Sequence, residues 1–136
     1  GEGDEEIKIR QYLNDYSIND FVEIISFRDN YYSYLSNADI FVLNSYYEGM
    51  PSILVEAVST DIAIISTNCK HGPSELLNGV DNCRLIEVNN ENQLIDAINH
   101  FSSIGKIKRK EISHLKEFYI EESMSKYLKL LRELIT

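Results

Sequence analysis

One stretch of thirty residues limits the fold more than any other: ADIFVLNSYYEGMPSILVEAVSTDIAIIST, Ala38 to Thr67. Ile40 to Leu43 is a short apolar run, as expected for a strand covered on both faces. Asn44 to Gly49 is a polar loop at that strand's carboxyl end. Pro51 suits a first helical turn, because it has no N–H to leave unsatisfied. Ile53, Leu54, Ala57 and Val58 then fall at helical spacing. Ala63 to Ser66 is the returning strand, with β-branched Ile64 and Ile65 at its middle. This strand–loop–helix–strand unit predicts an α/β fold. In such sheets ligands bind at the carboxyl ends of strands, and helix N-termini face anions.

The rest of the chain alternates in the same way. Asp4 to Tyr16 reads as a helix with Ile9, Tyr12, Leu13 and Tyr16 on one face, and Phe21 to Phe27 as a strand. Asn30 is placed to cap a short helix through Asn37. Gly72-Pro73 opens a short helix over Pro73 to Asn78. Turn-like Asn78-Gly79 and Asp81-Asn82 precede a last strand, Arg84 to Val88. Asn90 to Ser103 reads as a helix striped by Leu94, Ile95, Ile98 and Phe101. Lys106 to Phe118 reads as helical. So does Ser123 to Ile135, with Met124, Tyr127, Leu128, Leu131 and Ile135 as its buried face. Alternating strands and helices predict a parallel sheet with helices outside.

At 136 residues and 43% hydrophobic, the chain is sized and composed for one globular domain. Its net charge of −9 and pI near 4.7 argue against a broad nucleic-acid or anionic-membrane surface. One diphosphate is still within reach of backbone amides and a helix end. The basic cluster Lys106, Lys108, Arg109 and Lys110 reads as a solvated helix face rather than a membrane patch. Cys69 and Cys83 have no metal-site or disulfide spacing, and both are expected to stay reduced in a cytosolic protein. No apolar run has transmembrane length, and no signal peptide is visible.

ADIFVLNSYYEGMPSILVEA resembles the donor-site motif of retaining GT-B glycosyltransferases of the large family 4. The hallmark is two glutamates separated by seven residues, here Glu48 and Glu56. The flanks extend the likeness. Gly1-Glu2-Gly3 looks like a Gly-x-Gly after an earlier strand, and SFRDNYYSYLSNADIF like the usual approach to the motif. TNCKHGPSELL resembles the Cys-x-x-Gly-Pro-x-Glu-Ile-Leu segment of bacterial envelope-sugar transferases. The likeness covers Gly1 to about Ile86, and the remainder fits the family's helical tail loosely.

The resemblance implies a Rossmann-like parallel sheet with flanking helices, the C-terminal domain of a GT-B fold without its first strands. Residues 1–136 are then a partial nucleotide-sugar-binding domain, with the α/β donor site in 1–88 and a helical tail in 89–136. The implied activity moves a sugar from a nucleotide sugar, expected to be UDP-linked, to a glycan or lipid-linked acceptor with retention. The implied transferase is of hexosyl or N-acetylhexosaminyl type, metal-independent and without a cofactor. It would build an envelope polysaccharide in the cytoplasm, peripherally at the inner face of the membrane.

In that reading Glu48 is the catalytic carboxylate that holds the transferred sugar and Glu56 holds the ribose. An ionised carboxylate accepts only and can take two hydroxyl donors, which suits both tasks. Amides of Ser52 and Ile53 meet the diphosphate. Gly49 lets the backbone approach closely, and Met50 and Gly72 complete the donor site. Arg28 stacks on the nucleobase. Without the resemblance, Glu48 is an ordinary loop acid, Glu56 a solvated helix acid and Arg28 a surface residue. His71 reads as an exposed loop histidine, Glu75 as support for its own helix N-terminus, and Cys69 as a small packed residue.

The chain departs from the family at several turns. Asp61 and Ala63 stand in place of Gly-x-Pro, Asn82-Cys83 in place of Asn-Gly, and Ser26 in place of a glycine. The family's first two strands, its diphosphate-binding basic residue and its acceptor domain are expected upstream, so this chain alone should transfer sugar poorly. In the order 3-2-1-4-5-6, the Phe21 and Ile40 strands would be third and fourth, with the absent strands between them. Either these two strands close on one another, or exposed edges pair two chains. The alternative reading is a non-catalytic nucleotide-sugar-binding or interaction module with the same fold. A signalling receiver is disfavoured, since no acidic cluster marks the strand ends.

Overall fold

The computed structural model describes residues 3–105 and 118–135. They form two compact units, Gly1–Tyr34 and Leu35–Thr136. The first is built on α1 (Glu6–Asp15), followed by a 3₁₀ turn at Asn19–Phe21. On α1, Glu5 pairs with Lys8 and Glu6 with Arg10 along the exposed surface. Of the expected apolar face only Leu13 is buried. Tyr12 and Tyr16, one turn apart, stack in parallel on the outside at 5.8 Å.

The expected Phe21–Phe27 strand does not form. Val22 has extended backbone angles, φ −130° and ψ 123°, but the segment joins no ladder. β-propensity sets the local conformation, while a strand also needs a neighbour to accept its N–H groups. Closure of this segment against the Ile40 strand is therefore not what the fold does.

The second unit holds a three-stranded parallel sheet in the order β1-β2-β3. The strands are β1 (Ile40–Leu43), β2 (Ala63–Thr67) and β3 (Cys83–Ile86). Ile40 pairs with Ala63, and Ile64 with Cys83. β2 is central, and all five of its residues are buried. Side chains alternate across a strand, so β2 feeds two cores. Ile64 packs with Leu54, Ala57 and Val58 of α3 (Ser52–Val58) and with Leu76 and Leu77 of α4 (Pro73–Leu77). Ala63 and Ile65 face Ala97 and Phe101 of α5 (Glu91–Ile104). Helices on both faces of a parallel sheet explain the continuous apolar runs.

Local signals set most boundaries. α2 (Tyr31–Asn37) starts after Asn30, whose carbonyl accepts the Ser33 N–H. Pro51 stands one residue before α3 rather than inside it, and its carbonyl accepts the Leu54 N–H. Asn90 caps α5 by accepting the Gln93 N–H at 3.0 Å. On α5 Ala97 and Phe101 are buried and half-buried Leu94 packs beside them, while Ile95 and Ile98 are exposed. The true face is thus rotated from the expected one, with Ala97 and Phe101 packed against Ala63 and Ile65 of β2.

α6 (Ile120–Ile135) has no buried residue. Its expected core face is exposed, with Met124, Tyr127, Leu128, Leu131 and Ile135 all facing outward. Helical periodicity identifies an apolar face but does not say what covers it. The expected helix over Lys106 to Phe118 and its basic cluster lie outside the described residues, Phe118 apart.

Candidate functional site

Two loops leave the carboxyl ends of neighbouring parallel strands, and both belong to the Leu35–Thr136 unit. One runs from Asn44 to Pro51 between β1 and α3. The other runs from Asn68 to Gly72 between β2 and α4. The loops are tied together at two points.

The first tie is Gly72. Its φ is +76°, in the left-handed region, and it caps α4 ahead of Pro73. A Cβ there would overlap the Gly49 carbonyl oxygen and lie 2.7 Å from Pro51 Cδ. Only glycine allows the two loops to meet so closely. The second tie is Thr67, which is 1% exposed at the end of β2. Its hydroxyl donates to the Ser45 carbonyl at 2.6 Å, across from the first loop. The Ser45 hydroxyl in turn donates to Glu48 Oε1 at 2.6 Å.

The candidate residues fall around these ties. Glu48 is half-buried in the first loop, beside exposed Gly49 and Met50. A Cβ on Gly49 would meet nothing within 4 Å, so the backbone is open there. On α3, Ser52 and Glu56 stand four apart and share a face. That face is turned from buried Leu54, Ala57 and Val58. Ile53 is half-buried and packs on the core. The Leu54 N–H is used by Pro51, which leaves Ser52 and Ile53 as the first-turn amides to consider.

Other residues sit elsewhere. Arg28 is exposed and belongs to the Gly1–Tyr34 unit. His71 is exposed with φ +67°. Glu75 lies in the first turn of α4, where an acid suits the helix dipole. Cys69 is a buried free thiol and Cys83 a half-buried one. Ser45 and Thr67 were not legible as site residues. The available signal was the pair of hydroxyls, Ser66-Thr67, ending an apolar strand. Among the described residues, no three His, Cys, Asp or Glu side chains are grouped as a metal site would need. No described helix is long and apolar enough to cross a membrane.

In an α/β sheet, polar loops gathered at the strand ends are where a ligand binds, whatever the function. The family model for glycosyl transferases group 1 matches residues 1–116, and the chain belongs to that family. An uncharacterized glycosyltransferase of Methanocaldococcus jannaschii is 32% identical over 77 residues, 57% of this chain and 19% of that protein. A second relative is the N-acetylgalactosamine-N,N'-diacetylbacillosaminyl-diphospho-undecaprenol 4-alpha-N-acetylgalactosaminyltransferase of Campylobacter jejuni. It is 25% identical over 109 residues, 80% of this chain and 30% of that protein. The chain therefore spans less than a third of these relatives' length. Among solved structures, the C-terminal domain of a glycosyl transferase group 1 family protein (LpcC) from Francisella tularensis shares the fold. Its TM-score is 0.60 at 22% identity, over 83% of this chain and 55% of that one.

Proposed function

We propose that this chain is the donor-binding part of a retaining family 4 transferase that uses a UDP-linked sugar. The observation that carries the reading is the pair of half-buried carboxylates, Glu48 in the loop at the carboxyl end of β1 and Glu56 on the helix that follows, α3. A nucleotide sugar presents a diphosphate, a ribose diol and sugar hydroxyls. Glu56 accepts from the diol, and Glu48 accepts from the transferred sugar. Ser52 and Ile53 amides face the diphosphate, and open Gly49 with Met50 borders it. Gly72 holds the second loop against the first at Gly49, the residue after Glu48.

In the reaction, the bond from sugar C1 to the diphosphate oxygen breaks and the acceptor hydroxyl oxygen bonds to C1. The acceptor's proton leaves with the diphosphate. Amides aimed at the diphosphate stabilise the charge that develops there. The transfer is proposed to be metal-independent. The acceptor is a glycan or lipid-linked saccharide at the cytoplasmic face of the membrane. The acceptor in the name of the Campylobacter relative, a diphospho-undecaprenol saccharide, supports that class.

The test is turnover by the intact enzyme with UDP-, GDP- and ADP-sugars, with proton NMR reading the product's anomeric configuration. Expected is consumption of a UDP-sugar and a product of unchanged configuration. Inversion, or preference for another base, would overturn the corresponding part of the reading.

A further inference from the structure

Glu48 needs more than its position on a loop. A carboxylate on a flexible loop samples several rotamers, and a hydrogen-bonding site loosened by about 1 Å loses much of its effect. The loop after β1 has no regular structure of its own to prevent this. The restraint comes instead from the neighbouring strand.

We propose that Thr67 and Ser45 are positioning residues that form a two-step hydrogen-bond relay from the end of β2 to the Glu48 carboxylate. This rests on the role given to Glu48 above. Thr67 is anchored in the central strand and 1% exposed, so its hydroxyl has a defined place. A threonine hydroxyl has one proton to donate. Two acceptors are near, the Ser45 carbonyl at 2.6 Å and the Leu43 carbonyl at 3.4 Å. The shorter contact takes the proton, so Thr67 pins the Ser45 backbone. Ser45 then spends its single proton on Glu48 Oε1 at 2.6 Å, the length of a strong bond to an ionised acceptor.

The consequence is a division of labour between the two oxygens of Glu48. Oε1 is turned to the protein by Ser45, and Oε2 is left to accept from a sugar hydroxyl. A carboxylate held by one edge presents the other in a fixed direction. The relay thus converts the rigidity of β2 into orientation of the residue that contacts the transferred sugar. It ends on Glu48, which is assigned to the sugar, so its effect should be confined to the sugar.

The intact enzyme tests this with Ser45→Ala, Thr67→Val and their double variant. Each single change should lower kcat for the UDP-sugar, Ser45→Ala by roughly tenfold or more, in line with losing a bond to a charged group. The affinity for UDP alone should stay as in the parent. The double variant should be no slower than Ser45→Ala within about twofold, because both changes break one chain. Ser45→Thr and Thr67→Ser, which keep the hydroxyl, should restore most of the rate. Unchanged kcat in Ser45→Ala would overturn the relay. Losses that multiply in the double variant, or UDP affinity falling in step with kcat, would also overturn it. If Thr67→Val does not fold, the contrast between Ser45→Ala and Ser45→Thr decides alone. Glu48→Ala separates the two levels. An active Glu48→Ala enzyme removes the role of Glu48 and the relay with it, whereas inactive Glu48→Ala beside fully active Ser45→Ala removes only the relay.

Discussion

Gly72 shows how one residue without a side chain can hold a site together. Its left-handed backbone already disfavours any L side chain by about 1–3 kcal/mol. The overlap of a Cβ with the Gly49 carbonyl adds to this, and neither partner is a flexible side-chain end. Gly72→Ala should therefore destabilise the protein by more than about 2 kcal/mol and push the two loops apart. Denaturant melts would read the first effect, and weakened donor binding the second. The two glutamates should respond differently from Gly72 and from one another. Glu56→Ala should weaken UDP binding by about 1–3 kcal/mol, as for loss of charge-assisted hydrogen bonds. Glu48→Ala should leave UDP binding intact while abolishing turnover. Calorimetry with UDP, beside a turnover assay, checks both, and an equal loss of UDP affinity in the two variants would refute the assignment.

At the scale of elements, stability should follow the faces that are covered. Leu54 on α3 is fully buried between β2 and α4. Leu54→Ala should cost about 2–5 kcal/mol, the usual range for emptying a packed leucine site. Leu131 on α6 belongs to an equally regular apolar stripe but is 41% exposed. Leu131→Gln should change stability by no more than about 0.5 kcal/mol. Urea titration of the two variants makes the comparison directly. A large cost at Leu131 would mean that α6 is covered in solution. The contrast separates a helix that builds the core from one whose apolar face is displayed.

For the molecule as a whole, donor binding and folding are linked. A ligand that binds only the native state at about 100 times its Kd adds about 2.7 kcal/mol of stability. For an enzyme that binds its donor through the β1–α3 loop and α3, UDP should raise Tm by several degrees, more than GDP or ADP at equal concentration. Glu56→Ala should flatten that response, because the carboxylate proposed to accept from the ribose is removed. Differential scanning of parent and variant reads both numbers. A parent Tm indifferent to all three nucleotides would count against a donor site.

Much of this molecule follows from properties that neighbouring residues share. Periodicity placed β1, α3 and β2, because apolar spacing reports which face of an element is buried. Turn chemistry placed the start of α4 at Gly72-Pro73, because caps use residues only a few positions apart. The two glutamates stood out as candidates through the spacing of a motif that resembles the family's, not through any property of their own. What remained depended on encounters between distant parts of the chain. Thr67 meets Ser45 across 22 positions, and Gly72 meets Gly49 across the gap between two strands. The Phe21 segment is locally extended but joins no ladder, and α6 is amphipathic but uncovered. Sequence alone determined the α/β order and where the carboxylates lie, since these are local preferences summed along the chain. Only the tertiary structure decided how Glu48 is held and which apolar faces are buried, since both require a second surface that spacing does not encode.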